Sequence, residues 1–183
     1  MNYDEFVWHP RYTDASKPSG HNIPLKKVKA SCIAHSNETI YPDSAIPANL
    51  DKQTPSCVQI HYYVDILKQC TKCKRKFIFF AQEQKFWYEE LGFVIYAGCS
   101  SCPECRKFKQ KTRHTFQRYS GLVSRNELSD ESLAFLVDDV IFLWQNKILK
   151  NEHKLGRIKN IAIERIPNHE ATRRLLELPV FRK

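Results

Sequence analysis

Four cysteines offer the clearest chemistry in the chain. Cys70 and Cys73 are separated by two residues, as are Cys102 and Cys105, with twenty-eight residues between the two pairs. A C-x-x-C pair presents two thiolates from one tight knuckle. Two such knuckles brought face to face form a tetrahedral cage sized for Zn²⁺. A complete thiolate set leaves no coordination position for water, so the ion is expected to be a structural staple and not a catalyst. Cys99 stands three residues before Cys102 and is the alternative fourth ligand; the Cys102/Cys105 pair is preferred because it opens a helix. Seven cysteines, an odd number with four in knuckle spacing, favour metal over disulfides. Cys32 and Cys57 read as small buried hydrophobes.

The second chemical feature is cationic. The net charge is +9, and residues 70–126 hold twelve Lys/Arg against four acids, which places +8 in the segment that carries the knuckles. Arg106, Lys107, Lys109, Lys111, Arg113 and Arg118 follow the second knuckle with no acid between Arg106 and Arg118, and Lys72, Lys74, Arg75 and Lys76 surround the first. An all-basic helix suits nucleic-acid phosphates, and each contact would steepen the salt dependence of binding. The same charge also suits a solvated face or an acidic protein partner. Lysines beside the cage would offset the net charge of about −2 that four thiolates leave around Zn²⁺. With Gln110 and Gln117 as its only Gln or Asn, the helix is expected to bind backbone or shape in preference to base sequence.

Signs of catalysis are weak. Glu83, Gln84, Glu89 and Glu90 have ordinary helix-surface spacing. No histidine lies between the knuckles, and His114 stands without a metal-binding carboxylate nearby. His9, His21, His35 and His61 are scattered through the N-terminal segment as a weak further ligand set. An enzyme is disfavoured, with a metal-dependent one as the third reading.

These residues need elements to hold them. Six of nine prolines fall in the first sixty residues, so residues 1–57 read as an extended arm without long helices, pinned by Phe6, Trp8, Tyr12 and Ile23. Val58, Ile60, Tyr62 and Val64 alternate, predicting a half-buried strand into the first knuckle. Phe77 to Phe80 predicts a second strand, and residues 81–91 a helix using Phe86, Trp87 and Leu91, stopped by Gly92. Phe93 to Tyr96 is expected to return as a strand or extended segment. The aromatic residues Phe77, Phe79, Phe80, Phe86, Trp87 and Tyr88 could stack bases, but a module this small needs them as core. Pro103 suits the first turn of a helix running to about Tyr119. Ser129 caps a further helix whose Leu133, Leu136, Val137, Val140, Ile141, Trp144 and Ile148 form one stripe, a core face or, through Trp144, a partner groove. Two shorter helices follow, one carrying Leu155, Ile158, Ile161 and Ile163 and ending at Pro167, the other running from near Asn168 to Leu178.

The order knuckle, hairpin, knuckle, helix is that of a treble clef. Residues 46–107 resemble a family of bacterial proteins labelled probable zinc-ribbon domains, with a treble-clef fold. The resemblance rests on Ile46-Pro-Ala, Asp51-Lys-Gln53, Tyr62-Tyr-Val-Asp65, Cys70-x-x-Cys73, Phe77-Ile-Phe-Phe80, Glu83-Gln84, Trp87-Tyr-Glu-Glu-Leu-Gly-Phe93 and Cys102-x-x-Cys105-Arg106. It implies a zinc-bound fold with Cys70, Cys73, Cys102 and Cys105 as ligands, and no settled activity.

The expectation is therefore an α+β protein in three parts: an extended arm over 1–57, a treble-clef zinc-ribbon module over 58–121 and a helical C-terminal unit over 122–183. No apolar run approaches the roughly 18–20 residues that cross a bilayer. The N-terminus lacks the basic and apolar regions of a secretory signal, so a cytoplasmic protein with reduced thiols is expected. Binding is the expected function, with nucleic acid ahead of an adaptor role for the C-terminal helices and no membrane partner.

Overall fold

The computed structural model describes residues 5–12, 15–34, 38–56, 58–125 and 127–181; Cys57 and His35 lie outside them. The chain forms two compact units, residues 1–107 and residues 108–183.

The first unit is built on a four-stranded sheet. Its strands are β1 (Phe6–Val7), β2 (Thr39–Pro47), β3 (Tyr62–Gln69) and β4 (Lys76–Phe79), in the order β1-β4-β3-β2. β3 is antiparallel to both β2 and β4, and β1 lies parallel to β4. The N-terminal segment thus supplies two strands, together with the short helix α1 (Leu25–Ser31).

The alternating residues 58–64 predict one buried face, but β3 is an interior strand and is covered on both. Val64 and Ile66 pack with Val28 of α1 and with Ala45, whereas Tyr63 packs on the other side with Ala81, Tyr88 and Ile95. Val58 is exposed and precedes the strand. Phe93 to Tyr96 forms no strand but a turn, closed by the Ala97 N–H donating to the Val94 carbonyl. The reason lies in the sheet: β1 already occupies the edge of β4 that a returning strand would need.

The helix expected over 81–91 divides into α2 (Ala81–Lys85) and a wider π-helical turn (Phe86–Glu90). The left-handed Gly92, at φ +65°, ends it as expected, since only glycine adopts that conformation without Cβ strain. Phe77, Phe79, Phe80 and Tyr88 are buried and Trp87 half-buried, so the aromatics serve mainly as core; Phe86 and Leu91 are exposed.

Helix α3 (Pro103–Val123) is unbroken, beginning in the first unit and continuing into the second. The second unit completes itself with α4 (Asp130–Gln145), α5 (Glu152–Arg165) and α6 (Glu170–Leu176). Its core joins Tyr119 and Leu122 of α3, Leu133, Val137, Val140 and Leu143 of α4, Leu155 and Ile158 of α5, and Ala171 and Leu175 of α6. Ser129 caps α4 as predicted, accepting the Ser132 N–H at 3.2 Å. Ala162 replaces Ile163 on the buried face of α5, and Ile163 points to solvent. Trp144 packs partly against this core.

Candidate metal centre and basic helix

The first knuckle is the turn between β3 and β4. Gln69 pairs with Lys76 as the last rung of that ladder, which leaves Cys70 to Arg75 to form the loop. The Cys70 carbonyl accepts the Lys74 N–H at 2.9 Å, and the Cys70 N–H donates to the Arg75 carbonyl at 2.9 Å. Lys74 takes the left-handed conformation, φ +66°, that this tight loop requires. The second knuckle is the entrance of α3, where Pro103 has no amide hydrogen to satisfy. The loops are joined by the Thr71 N–H and hydroxyl, which both donate to the Ser100 carbonyl.

This geometry brings the sulfurs of Cys70, Cys73, Cys102 and Cys105 within 4.8 Å of one another. The Cys73 and Cys102 sulfurs are 3.7 Å apart. Four sulfurs at the Zn–S distance of a thiolate site define a tetrahedron with edges of about 3.8 Å, so the cage fits zinc. The thiols make the same point electrostatically. Burial and its three sulfur neighbours push Cys105 up to about 12. Cys70 is also buried, but N–H donors of Cys102, Cys73 and Lys72 outweigh that and draw its thiol down to about 6. Four anionic sulfurs cannot share this space without a cation, and a dication supplies the missing charge. Cys99 is outside the cage; burial pushes its thiol up to about 12, and its sulfur lies 3.4 Å from the Ser101 carbonyl. Cys32 is half-buried against Val28 and Val64, in keeping with a packing role.

The polar residues around the cage act as fasteners. Glu83, Gln84 and Glu89, which sequence spacing places on a helix surface, are buried. The Gln84 amide donates to the Val64 carbonyl at 2.6 Å and the Phe79 carbonyl at 2.9 Å, tying α2 to β3 and β4. Glu89 accepts the Asn49 N–H at 2.7 Å. Asp65 accepts the Ala81 N–H at 2.7 Å and so caps α2; burial raises its carboxyl above the ordinary range. Gln53 donates to the Ile60 carbonyl at 2.7 Å and to the Tyr63 hydroxyl at 3.0 Å. Glu83 receives His9 at 3.3 Å and Arg106 at 2.7 Å. Burial opposes its charge, but these two partners hold the Glu83 carboxyl below its usual value. The N-terminal segment, α2 and the start of α3 are joined through this one carboxylate. Among the described residues the cysteine cage is the one group with metal-ligand geometry, so His9, His21 and His61 do not gather into a second.

The predicted basic residues separate into two sets. Arg75 pairs with Glu104, and the neighbouring Cys73 and Glu104 side chains raise its guanidinium above the ordinary value. Arg106 pairs with Glu83 and lies 4.8 Å from the centre of the Trp87 ring. Arg118 grips the buried Asp139 with two hydrogen bonds, Nε at 2.7 Å and Nη2 at 2.5 Å. In contrast, Lys107, Lys109, Lys111 and Arg113 on α3, and Lys72, Lys74 and Lys76 at the knuckle, are exposed and form no ion pair among the described residues. Lys111 also rests 4.7 Å from the centre of the Phe142 ring. The sequence signals that could have marked the structural arginines were the acids Glu83, Glu104 and Asp139, all distant in sequence or outside the helix.

Hairpin knuckle, helix-opening knuckle and converging sulfurs define a treble-clef zinc domain. Residues 64–114 match the model of a family described as a probable treble clef domain, a span running from β3 into the middle of α3. No curated protein and no solved structure matches the chain. No helix among the described residues is long and apolar enough to cross a membrane.

Proposed function

We propose that the chain is a zinc-stabilised, non-catalytic binding protein that contacts nucleic-acid phosphates through α3. The observation that carries this reading is the contrast on one helix. Arg106 and Arg118 are neutralised by carboxylates, whereas Lys107, Lys109, Lys111 and Arg113 stand exposed on a stretch that contains no acid. Unneutralised like charges four residues apart, Lys107 with Lys111 and Lys109 with Arg113, repel one another, so they favour a polyanion that relieves the repulsion. The zinc cage would serve by fixing the start of α3 against β3 and β4. A reducing compartment such as the cytoplasm suits this role, because it keeps the four thiolates available.

The test is charge reversal of Lys107, Lys109 and Lys111 to Glu, measured by fluorescence anisotropy on zinc-loaded protein with DNA and RNA oligonucleotides. Binding should be lost with zinc content and helicity unchanged. Unchanged binding would exclude α3 as the contact.

A second reading, a protein-interaction adaptor built from the C-terminal helices, is favoured by apolar side chains left in solvent. Phe135 is 56% exposed, with Ile163 and Leu176 also exposed. Trp144 belongs partly to the core, so Phe135→Ala is the cleaner probe of that surface.

A further inference from the structure

Two glutamines are few when counted in sequence, but the helix places them in one line. Gln110, His114 and Gln117 are at i, i+4 and i+7 of α3, which puts them on a single stripe. All three are exposed, and no hydrogen bond engages their side chains among the described residues. The opposite face carries Thr115, Tyr119 and Leu122, which are buried, so the polar stripe points away from the core. Lys107 and Lys111, one turn apart, flank the stripe on one side; Lys109 and Arg113, also one turn apart, flank it on the other. At 100° per residue these two cationic rails lie roughly 50–110° either side of the stripe's centre.

A neutral line of donors and acceptors between two positive rails matches a particular target. A helix about 10–12 Å across fits the B-DNA major groove, about 12 Å wide, where base edges lie at the floor and a phosphate strand runs along each wall. The major groove of A-form RNA is too deep and narrow to admit side chains in this way. Glutamine matches the N6/N7 edge of adenine, and an imidazole can donate to guanine O6 or N7. The stretch from residue 107 to residue 117 spans about 15 Å of helix, enough to follow four or five base pairs at about 3.4 Å each.

We propose that α3 is a major-groove recognition helix for duplex DNA, with Gln110, His114 and Gln117 reading base edges between the Lys107/Lys111 and Lys109/Arg113 phosphate rails. This rests on the reading that α3 binds nucleic acid, and adds that the target is duplex DNA of preferred sequence.

The test is selection by the full, zinc-loaded chain from a duplex pool randomised over a central window. The affinity for the selected duplex is then compared with a scrambled duplex and with the single strand at one salt concentration. A preferred site of four or five base pairs should emerge. Gln110→Ala and Gln117→Ala should each relax discrimination at one position by roughly five- to a hundredfold. Affinity for scrambled duplex and its salt slope should stay unchanged, and circular dichroism should show the helix intact. Duplex binding without sequence preference would overturn this inference while leaving phosphate binding by α3 in place. Equal or tighter binding of the single strand would likewise overturn it. Failure to bind any nucleic acid would overturn both.

Discussion

Removing the Arg118 guanidinium should cost stability and leave nucleic-acid binding unchanged, the reverse of what its place among the helix cations suggests. The Asp139 side chain is 2% exposed, and Arg118 supplies it with two hydrogen bonds while remaining 54% exposed itself. Arg118→Ala strips a buried carboxylate of its partner. For a fully buried pair such a loss costs about 3–5 kcal/mol. Because water already reaches the guanidinium, it can enter the space left behind, and the expected cost falls to about 2–3 kcal/mol. The lost contact of Arg118 with the Phe135 ring, 5.7 Å from its centre, adds about 0.5 kcal/mol. Urea unfolding of the zinc-loaded protein, followed by circular dichroism, reads the cost. Adding Asp139→Asn to Arg118→Ala should recover part of it, because the unpaired charge is gone. A cost below about 0.5 kcal/mol, accompanied by weaker DNA binding, would show that Arg118 serves phosphate and not Asp139.

Four further outcomes follow from the site and its surroundings. Cys102→Ser should lose the single zinc per chain measured by metal analysis, whereas Cys99→Ser should keep it, and Cys99, its thiol held near 12, should resist alkylation in the folded protein. Zinc should be released progressively as pH falls, because each ligand must lose a proton to bind; a chromogenic chelator reads the release, and pH-independent retention would refute thiolate ligation. Gln84→Ala strips the Val64 and Phe79 carbonyls of a buried donor and should destabilise the first unit by about 2–4 kcal/mol in urea unfolding. The folded-state carboxyl of Asp65 is raised by burial, so its ionisation costs stability; that cost is absent below the unfolded value and appears as pH rises through the folded one. Asp65→Asn should therefore flatten the decline in unfolding free energy across that window, and an unchanged slope would refute the assignment.

What the sequence made legible was local. The C-x-x-C spacing names its own ligands because a knuckle needs only four residues, and Ser129 and Gly92 act within one turn of the helices they bound. The fasteners were not legible, since Asp65 meets Ala81 and Gln84 meets Val64 only once the register of β3 on β4 is set. Phe93 to Tyr96, expected as a strand or extended segment, ends in a turn for a related reason: the strand that takes the edge of β4, β1, comes from seventy residues upstream of it. Burial on both faces of β3 likewise depends on neighbours that alternation does not encode. On α3, composition gave the charge but not its use. Distinguishing Arg106 and Arg118 from Lys109 and Arg113 required the positions of Glu83 and Asp139.

The central claim is that the exposed cations of α3 meet phosphates, and the salt dependence of binding tests it most directly. Four contacts, from Lys107, Lys109, Lys111 and Arg113, predict a slope of log K against log salt of about −3.6 on duplex DNA. Arg113→Ala should reduce that slope by about one unit, and Arg118→Ala by none. A slope near zero, or one that falls with Arg118 and not with Arg113, would contradict the account.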